Sequence, residues 1–179
     1  MEKQTGIELF ADISKKAGVT CVLIGGFAVN YYNFTRQTVD IDFLLTEEDF
    51  FKIKKGLEDA GYKQDFADKV FAKFSGKDKL LFDIDLMFVD KGTLGKILKS
   101  SKAIEIAGKQ FIVPSLNDLI ALKLHSIKNN PFFREAKDLL DIISLVRLNK
   151  VNYKDEKFKE LCLKYGSREI YEKILKGLT

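Results

Sequence analysis

Residues 24–45 read IGGFAVNYYNFTRQTVDIDFLL, and the chemistry of the chain is concentrated in this stretch. Its second half, Val39-Asp40-Ile41-Asp42-Phe43-Leu44-Leu45, reads as a buried strand with two acidic interruptions. In an extended chain residues i and i+2 share a face, so Asp40 and Asp42 point the same way, about 7 Å apart along the strand. Val39, Ile41 and Phe43 take the opposite face and read as core. Two carboxylates on one face repel each other, and burying either without a partner is costly. A divalent cation relieves both problems. Oxygen donors without a nearby His or Cys select Mg²⁺ or Mn²⁺ over zinc. The plainer alternative for Asp-x-Asp alone is an exposed edge strand with ordinary polar alternation.

Two further features change that balance. Gly25-Gly26 closes the short β-rich run Thr20–Ile24 and precedes a helix-compatible stretch from Phe27 to Asn33. Such a turn lets backbone N–H groups approach a phosphate, although a Gly-Gly pair by itself also marks a simple tight turn. Farther on, Leu81-Phe82-Asp83-Ile84-Asp85-Leu86-Met87-Phe88 is a second acidic strand, too apolar elsewhere to lie on a surface. Asp83 and Asp85 again share a face. If this strand pairs beside the first, three carboxylates converge, and two metal ions about 3.5–4 Å apart held in that way form a clamp for in-line phosphoryl displacement.

The order strand, Gly-Gly, helix, Asp-x-Asp and later strand aspartate resembles the nucleotidyltransferase fold of the DNA polymerase beta superfamily. The run Thr35-Arg36-Gln37-Thr38-Val39-Asp40-Ile41-Asp42 is similar to the Arg-x-Thr-x-Asp-x-Asp motif of its small bacterial branch, which includes AbiEii-type toxins. Asn117-Asp118-Leu119-Ile120-Ala121-Leu122-Lys123 and Arg134-Glu135-Ala136-Lys137-Asp138-Leu139-Leu140-Asp141 are similar to that branch's Leu-Lys helix and Lys-Asp-x-x-Asp helix. The resemblance spans about residues 20–145. It implies that Gly25 and Gly26 hold the nucleotide triphosphate and that Asp40 and Asp42 bind the metals. It also implies a third carboxylate, which Asp85 fits best with Asp83 as its rival. Lys123 matches the helix lysine expected to reach the triphosphate, and Asp138 the acidic residue of the later helix. Many relatives carry Ser where this chain has Gly26, so phosphate contact at that turn is expected from the backbone alone.

The rest of the chain supports one small α+β core with a helical lobe. Of 179 residues, 46% are apolar and 31% charged, with 12 Gly and 2 Pro, enough to bury a core and free of low-complexity tracts. No apolar run approaches the ~20 residues of a membrane span, and the charged N-terminus is unlike a secretory signal. Cys21 and Cys162 are too few for a disulfide framework or zinc site, and one histidine, His125, excludes a multi-histidine metal centre. These features read as a soluble, cytoplasmic protein with no membrane partner. Lys and Arg number 17 against 17 Asp and Glu in residues 1–113, and 13 against 9 in residues 114–179. That basic excess suits an anionic partner such as a nucleotide or RNA, or simply a solvated lysine-rich surface.

Ile7, Phe10, Ala11 and Ile13 predict a helix ended by Gly18. Thr46-Glu47-Glu48-Asp49 predicts a capped helix stopping at Gly61. Strands are expected around Lys69–Ser75 and Leu80–Val89, joined by the turn Gly76-Lys77-Asp78-Lys79. A helix near Thr93–Ser100 then precedes a hairpin, Ala103–Val113, turning at Gly108. Pro114 separates residues 1–113, the expected nucleotidyltransferase core with a mixed sheet flanked by helices, from a C-terminal helical lobe over 114–179. Leu119, Leu122, Leu124 and Ile127 line one helix of that lobe; Leu139, Leu140, Ile142, Ile143 and Val146 line another.

Several residues carry plain structural alternatives. His125 suits packing or hydrogen bonding better than base chemistry, Lys123 could snorkel to solvent, and Tyr31, Tyr32 and Phe34 read as core. Arg36 could pin its loop to Asp40 or contact a phosphate. The expected function is metal-dependent transfer of NMP from an NTP such as ATP to an acceptor hydroxyl on RNA, protein or a small molecule, releasing pyrophosphate. The alternative is a silent nucleotide- or partner-binding module of a two-component system, with an antitoxin-like protein partner.

Overall fold

The computed structural model describes residues 5–78 and 81–179. By backbone contacts these form two compact units, one comprising the residues up to Ala28 with Gln37–Pro114 and the other Val29–Arg36 with Ser115–Thr179. The first unit is built on a mixed five-stranded sheet. Its strands are β1 (Val22–Leu23), β2 (Asp40–Leu45), β3 (Tyr62–Ala67), β4 (Phe71–Gly76) and β5 (Asp83–Phe88), in the order β1-β2-β5-β4-β3. β2 and β5 are parallel, and every other neighbouring pair is antiparallel. A separate hairpin pairs β6 (Lys102–Ile106) with β7 (Lys109–Val113), turning through Ala107 and Gly108, both at positive φ.

Alternation places Ile41, Phe43, Leu45, Ile84, Leu86, Ala72 and Phe74 on one sheet face, all fully buried. Helices α1 (Gly6–Lys16) and α3 (Glu47–Asp59) contribute Ile7, Phe10, Phe50, Ile53 and Leu57 to the same core. Phe10 stacks on Phe43 with ring centroids 3.7 Å apart, and Phe50 packs against both Phe74 and Phe88. The Thr46 hydroxyl caps α3 by accepting from the Asp49 amide, as the local sequence predicts. Asp90 does the same for α4 (Lys91–Ser100), which begins slightly before the expected Thr93.

Four helices make up most of the second unit: α5 (Leu116–Asn129), α6 (Pro131–Leu148), α7 (Glu156–Tyr165) and α8 (Arg168–Leu178). Ser115 caps α5, Pro131 opens α6 and Ser167 caps α8. Leu124, Ile142, Leu145, Cys162 and Ile174 are fully buried. No helix among the described residues is long and apolar enough to cross a membrane.

Several expectations are corrected. The strand β3 is not foreseen, because Tyr-Lys-Gln-Asp-Phe-Ala buries only Tyr62; as an edge strand it is held by backbone pairing with β4 rather than by an apolar face. The helix after the glycine pair, α2 (Gly25–Tyr31), contains both glycines and ends before Asn33. Val39 is not core but 70% exposed, since strand pairing begins only at Asp40. Tyr32 is buried as expected, whereas Tyr31 is exposed. His125 is also exposed, which removes the packing role expected for it. Leu140 is exposed as well: the buried stripe of α6 runs 138, 141, 142, 145, 146, and two aspartates occupy its first two positions. Lys79 and Leu80, in the expected turn and strand start, lie outside the described residues.

Candidate active site

The parallel register of β2 and β5 sets Asp40 beside Asp83 and Asp42 beside Asp85. All four therefore share the sheet face opposite the apolar core. Three of them converge: carboxylate oxygens of Asp40, Asp42 and Asp85 all lie within 4.8 Å of one another. Asp85 is buried and the other two are half-buried. Asp83 turns elsewhere, to the Lys73 ammonium 3.5 Å away.

Like charges at this separation repel by on the order of 3 kcal/mol per pair at an effective dielectric near ~20. A cation in the gap would offset that cost. The donors are oxygen only, and opposite ligands of one Mg²⁺ stand about 4.2 Å apart, so small side-chain rotations bring this set onto a hard divalent ion. The residues present fit Mg²⁺ or Mn²⁺.

The surrounding sequence explains how the cluster is held. The Thr38 hydroxyl donates to Asp40 Oδ1 at 2.9 Å, fixing that carboxylate from two residues upstream. A Cβ on Gly25 would run into the Asp42 carboxylate, and Gly25 has φ +59°, so glycine is required there twice over. A Cβ on Gly26 would run into the Thr38 side chain. The Gly-Gly turn thus makes room for the two side chains that form and support the acidic cluster. Ser at position 26 would displace Thr38, and the hydroxyl beside Gly26 is Thr38's own. Neither Thr38 nor Lys73 stands out in the sequence by residue type, although Thr38 lies at i−2 from Asp40 in an extended run and follows from the same alternation.

Arg36, Lys123 and Asp138 belong to the helical unit, where they form a charge network with Asp141. Arg36 donates through Nε and Nη2 to the two oxygens of Asp141, at 2.8 and 3.0 Å. Lys123 Nζ lies 2.8 Å from Asp138 Oδ1 and 2.6 Å from Asp141 Oδ2. Lys123, Asp138 and Asp141 are all buried. Lys123 does not snorkel; its ammonium is enclosed between two carboxylates. Asn30 holds the Arg36 backbone on both sides, accepting from its N–H and donating to its carbonyl.

A mixed sheet carrying paired aspartates on adjacent parallel strands, with a glycine turn packed against them, defines a nucleotidyltransferase-type fold. The model of the family described as "Uncharacterised nucleotidyltransferase" matches residues 10–177, and the chain belongs to that family. It is a nucleotidyltransferase enzyme. The fold is shared with the antibiotic-resistance factor ANT(2″)-Ia, with TM-score 0.64 and 16% identity over 95% of this chain and 93% of that one. It is also similar to the lincosamide antibiotic adenylyltransferase LnuA in its lincomycin-bound form, with TM-score 0.57 and 20% identity over 82% of this chain and 99% of that one. An antigenic nucleotidyltransferase-like protein from Paracoccidioides brasiliensis gives TM-score 0.57 and 15% identity over 96% and 90%. A search of curated proteins found no match.

Proposed function

We propose that this nucleotidyltransferase transfers NMP from an NTP to an acceptor hydroxyl in a reaction dependent on Mg²⁺ or Mn²⁺, releasing pyrophosphate. The observation that carries the proposal is the convergence of Asp40, Asp42 and Asp85 within 4.8 Å on one sheet face. These three carboxylates would hold the divalent cations. When bound, such ions polarise the α-phosphoryl group and lower the pKa of the attacking hydroxyl. Thr38 keeps the Asp40 carboxylate oriented toward them. The triphosphate would lie along Gly25-Gly26, beside Asp42. In-line displacement of pyrophosphate would require the acceptor hydroxyl to approach the α-phosphorus from the side opposite the leaving group.

Residues 1–113 in this reading form the catalytic core and residues 114–179 the helical lobe. Arg36, Lys123 and Asp138 act first as a structural network, because each already has a close charged partner; contact with nucleotide would require them to exchange it. The acceptor is a hydroxyl of a small molecule, RNA or protein. One fold neighbour is an antibiotic-resistance factor and another a lincosamide antibiotic adenylyltransferase, which makes small hydroxylated molecules the first acceptors to test. The likeness of residues 35–42 to AbiEii-type toxins supports RNA and an antitoxin-like partner as the next.

The test incubates purified protein with each α-labelled NTP, Mg²⁺ and, in separate reactions, an aminoglycoside, a lincosamide and total cellular RNA. Label transfer that Asp42→Asn abolishes is expected. Binding of NTP with no transfer to any acceptor, and no pyrophosphate released, would point instead to a silent binding module.

A further inference from the structure

The sheet register brings four aspartates together, yet the metal-type cluster contains three. Parallel neighbours lie about 4.8 Å apart along the hydrogen-bonding direction. The backbone therefore sets Asp83 as close to Asp40 as it sets Asp85 to Asp42. The difference lies in what each side chain meets. On β4, Lys73 stands directly opposite Asp85 and diagonally from Asp83, on the same face as all four aspartates. Its ammonium reaches along that diagonal to Asp83 Oδ2 at 3.5 Å, with both side chains 40% exposed. Thr38 holds Asp40 at the cluster while Lys73 holds Asp83 at its edge.

We propose that Lys73 is a positioning residue that sets the number of carboxylates offered to a cation, and through that number the choice of cation. The inference rests on the metal-site reading above. A three-carboxylate set with room for water and substrate oxygens suits the small octahedral ion Mg²⁺ or its near equivalent Mn²⁺. A fourth carboxylate favours Ca²⁺, which takes 6–8 oxygens at longer distance and tolerates irregular geometry. The Lys73–Asp83 pair is half-exposed, so its worth to folding is small. Its value is that it engages a carboxylate which the parallel register would otherwise deliver to the cluster.

Losing Lys73 has two effects that can be separated. Removing its positive charge tightens every divalent cation alike. Releasing Asp83 as a ligand tightens Ca²⁺ more than Mg²⁺. The ratio of affinities therefore reports positioning, and the absolute affinities report charge.

The experiment measures Ca²⁺, Mg²⁺ and Mn²⁺ binding by titration calorimetry, with Mn²⁺ confirmed by electron paramagnetic resonance. The proteins are the parent, Lys73→Met, Lys73→Arg, Lys73→Met/Asp83→Asn and Asp42→Asn, each checked for native circular dichroism. Lys73→Met should raise the Ca²⁺-to-Mg²⁺ affinity ratio roughly tenfold. Lys73→Arg, which keeps the charge beside Asp83, should hold the parent ratio. Lys73→Met/Asp83→Asn, which removes one charge of each sign, should return both the ratio and the absolute affinities to within about twofold of the parent. An unchanged ratio in Lys73→Met, or a shift that persists in the double variant, overturns the proposal. Should the parent show no divalent binding sensitive to Asp42→Asn, the metal-site reading itself fails. That outcome is distinct from intact metal binding with an unmoved ratio.

Discussion

At the scale of single residues, the two charged clusters of this protein respond oppositely to substitution. Asp40, Asp42 and Asp85 are like charges drawn together. Asp42→Asn should therefore remove metal-dependent NTP binding while the thermal midpoint of the metal-free protein holds or rises, measured by calorimetry with and without Mg²⁺. A clear fall in the metal-free midpoint would mark Asp42 as a structural residue instead. Lys123 lies between two buried carboxylates. Lys123→Met keeps the stem and the helix propensity but strands Asp138 and leaves Asp141 with Arg36 alone, and should cost about 3–5 kcal/mol in denaturant unfolding. Adding Asp138→Asn should recover part of that loss. A cost below about 1 kcal/mol would mean that the ammonium is solvated and the network weak. Any fall in transfer rate caused by Lys123→Met must accordingly be read against the stability of the variant.

At the scale of elements, the glycine turn and the acidic strand behave as one piece. Gly25→Ala forces a Cβ into the left-handed region, costing about 1–2 kcal/mol, and also into the space of the Asp42 carboxylate. The expected result is a lowered midpoint together with at least a tenfold loss of divalent affinity, from the displaced Asp42 (about 1.4 kcal/mol per tenfold). Gly18 has φ +65° with nothing within 4 Å of a Cβ, so Gly18→Ala should show the backbone cost and leave metal binding intact. If both substitutions leave divalent affinity unchanged, the turn supports α2 and not the cluster.

For the molecule as a whole, buried acids that titrate late predict its behaviour in alkali. Burial pushes the thiols of Cys21 and Cys162 from 9.0 up to about 12. It does the same from 10.0 for the phenols of Tyr32 and Tyr62, with smaller additions from Tyr31 and Asp83 respectively. Between about pH 9 and 12 the folded state thus holds more protons than the unfolded state, and stability must fall as pH rises. These contributions are complete below about pH 9 and are lost progressively toward pH 12, which denaturant midpoints measured across that range will show. For the same reason the buried Cys162 thiol should not react rapidly with a disulfide reagent at pH 8 until the chain unfolds. A flat stability profile between pH 9 and 12 would contradict the burial of these groups.

How much of this was legible in the chain differs from residue to residue. Asp40 and Asp42 follow from the period of an extended backbone, and the caps at Thr46 and Ser115 from hydrogen bonds spanning three residues. Such features are written in covalent geometry and need no distant partner. The edge strand β3 and the α6 stripe escaped because a polar edge and two buried aspartates break the apolar patterns that signal elements. The choice among four aspartates, the Thr38–Gly26 contact and the enclosure of Lys123 were beyond any local reading. Each depends on pairing between segments far apart in the chain, where a single register or one neighbouring ammonium decides which carboxylate faces the site and which turns away.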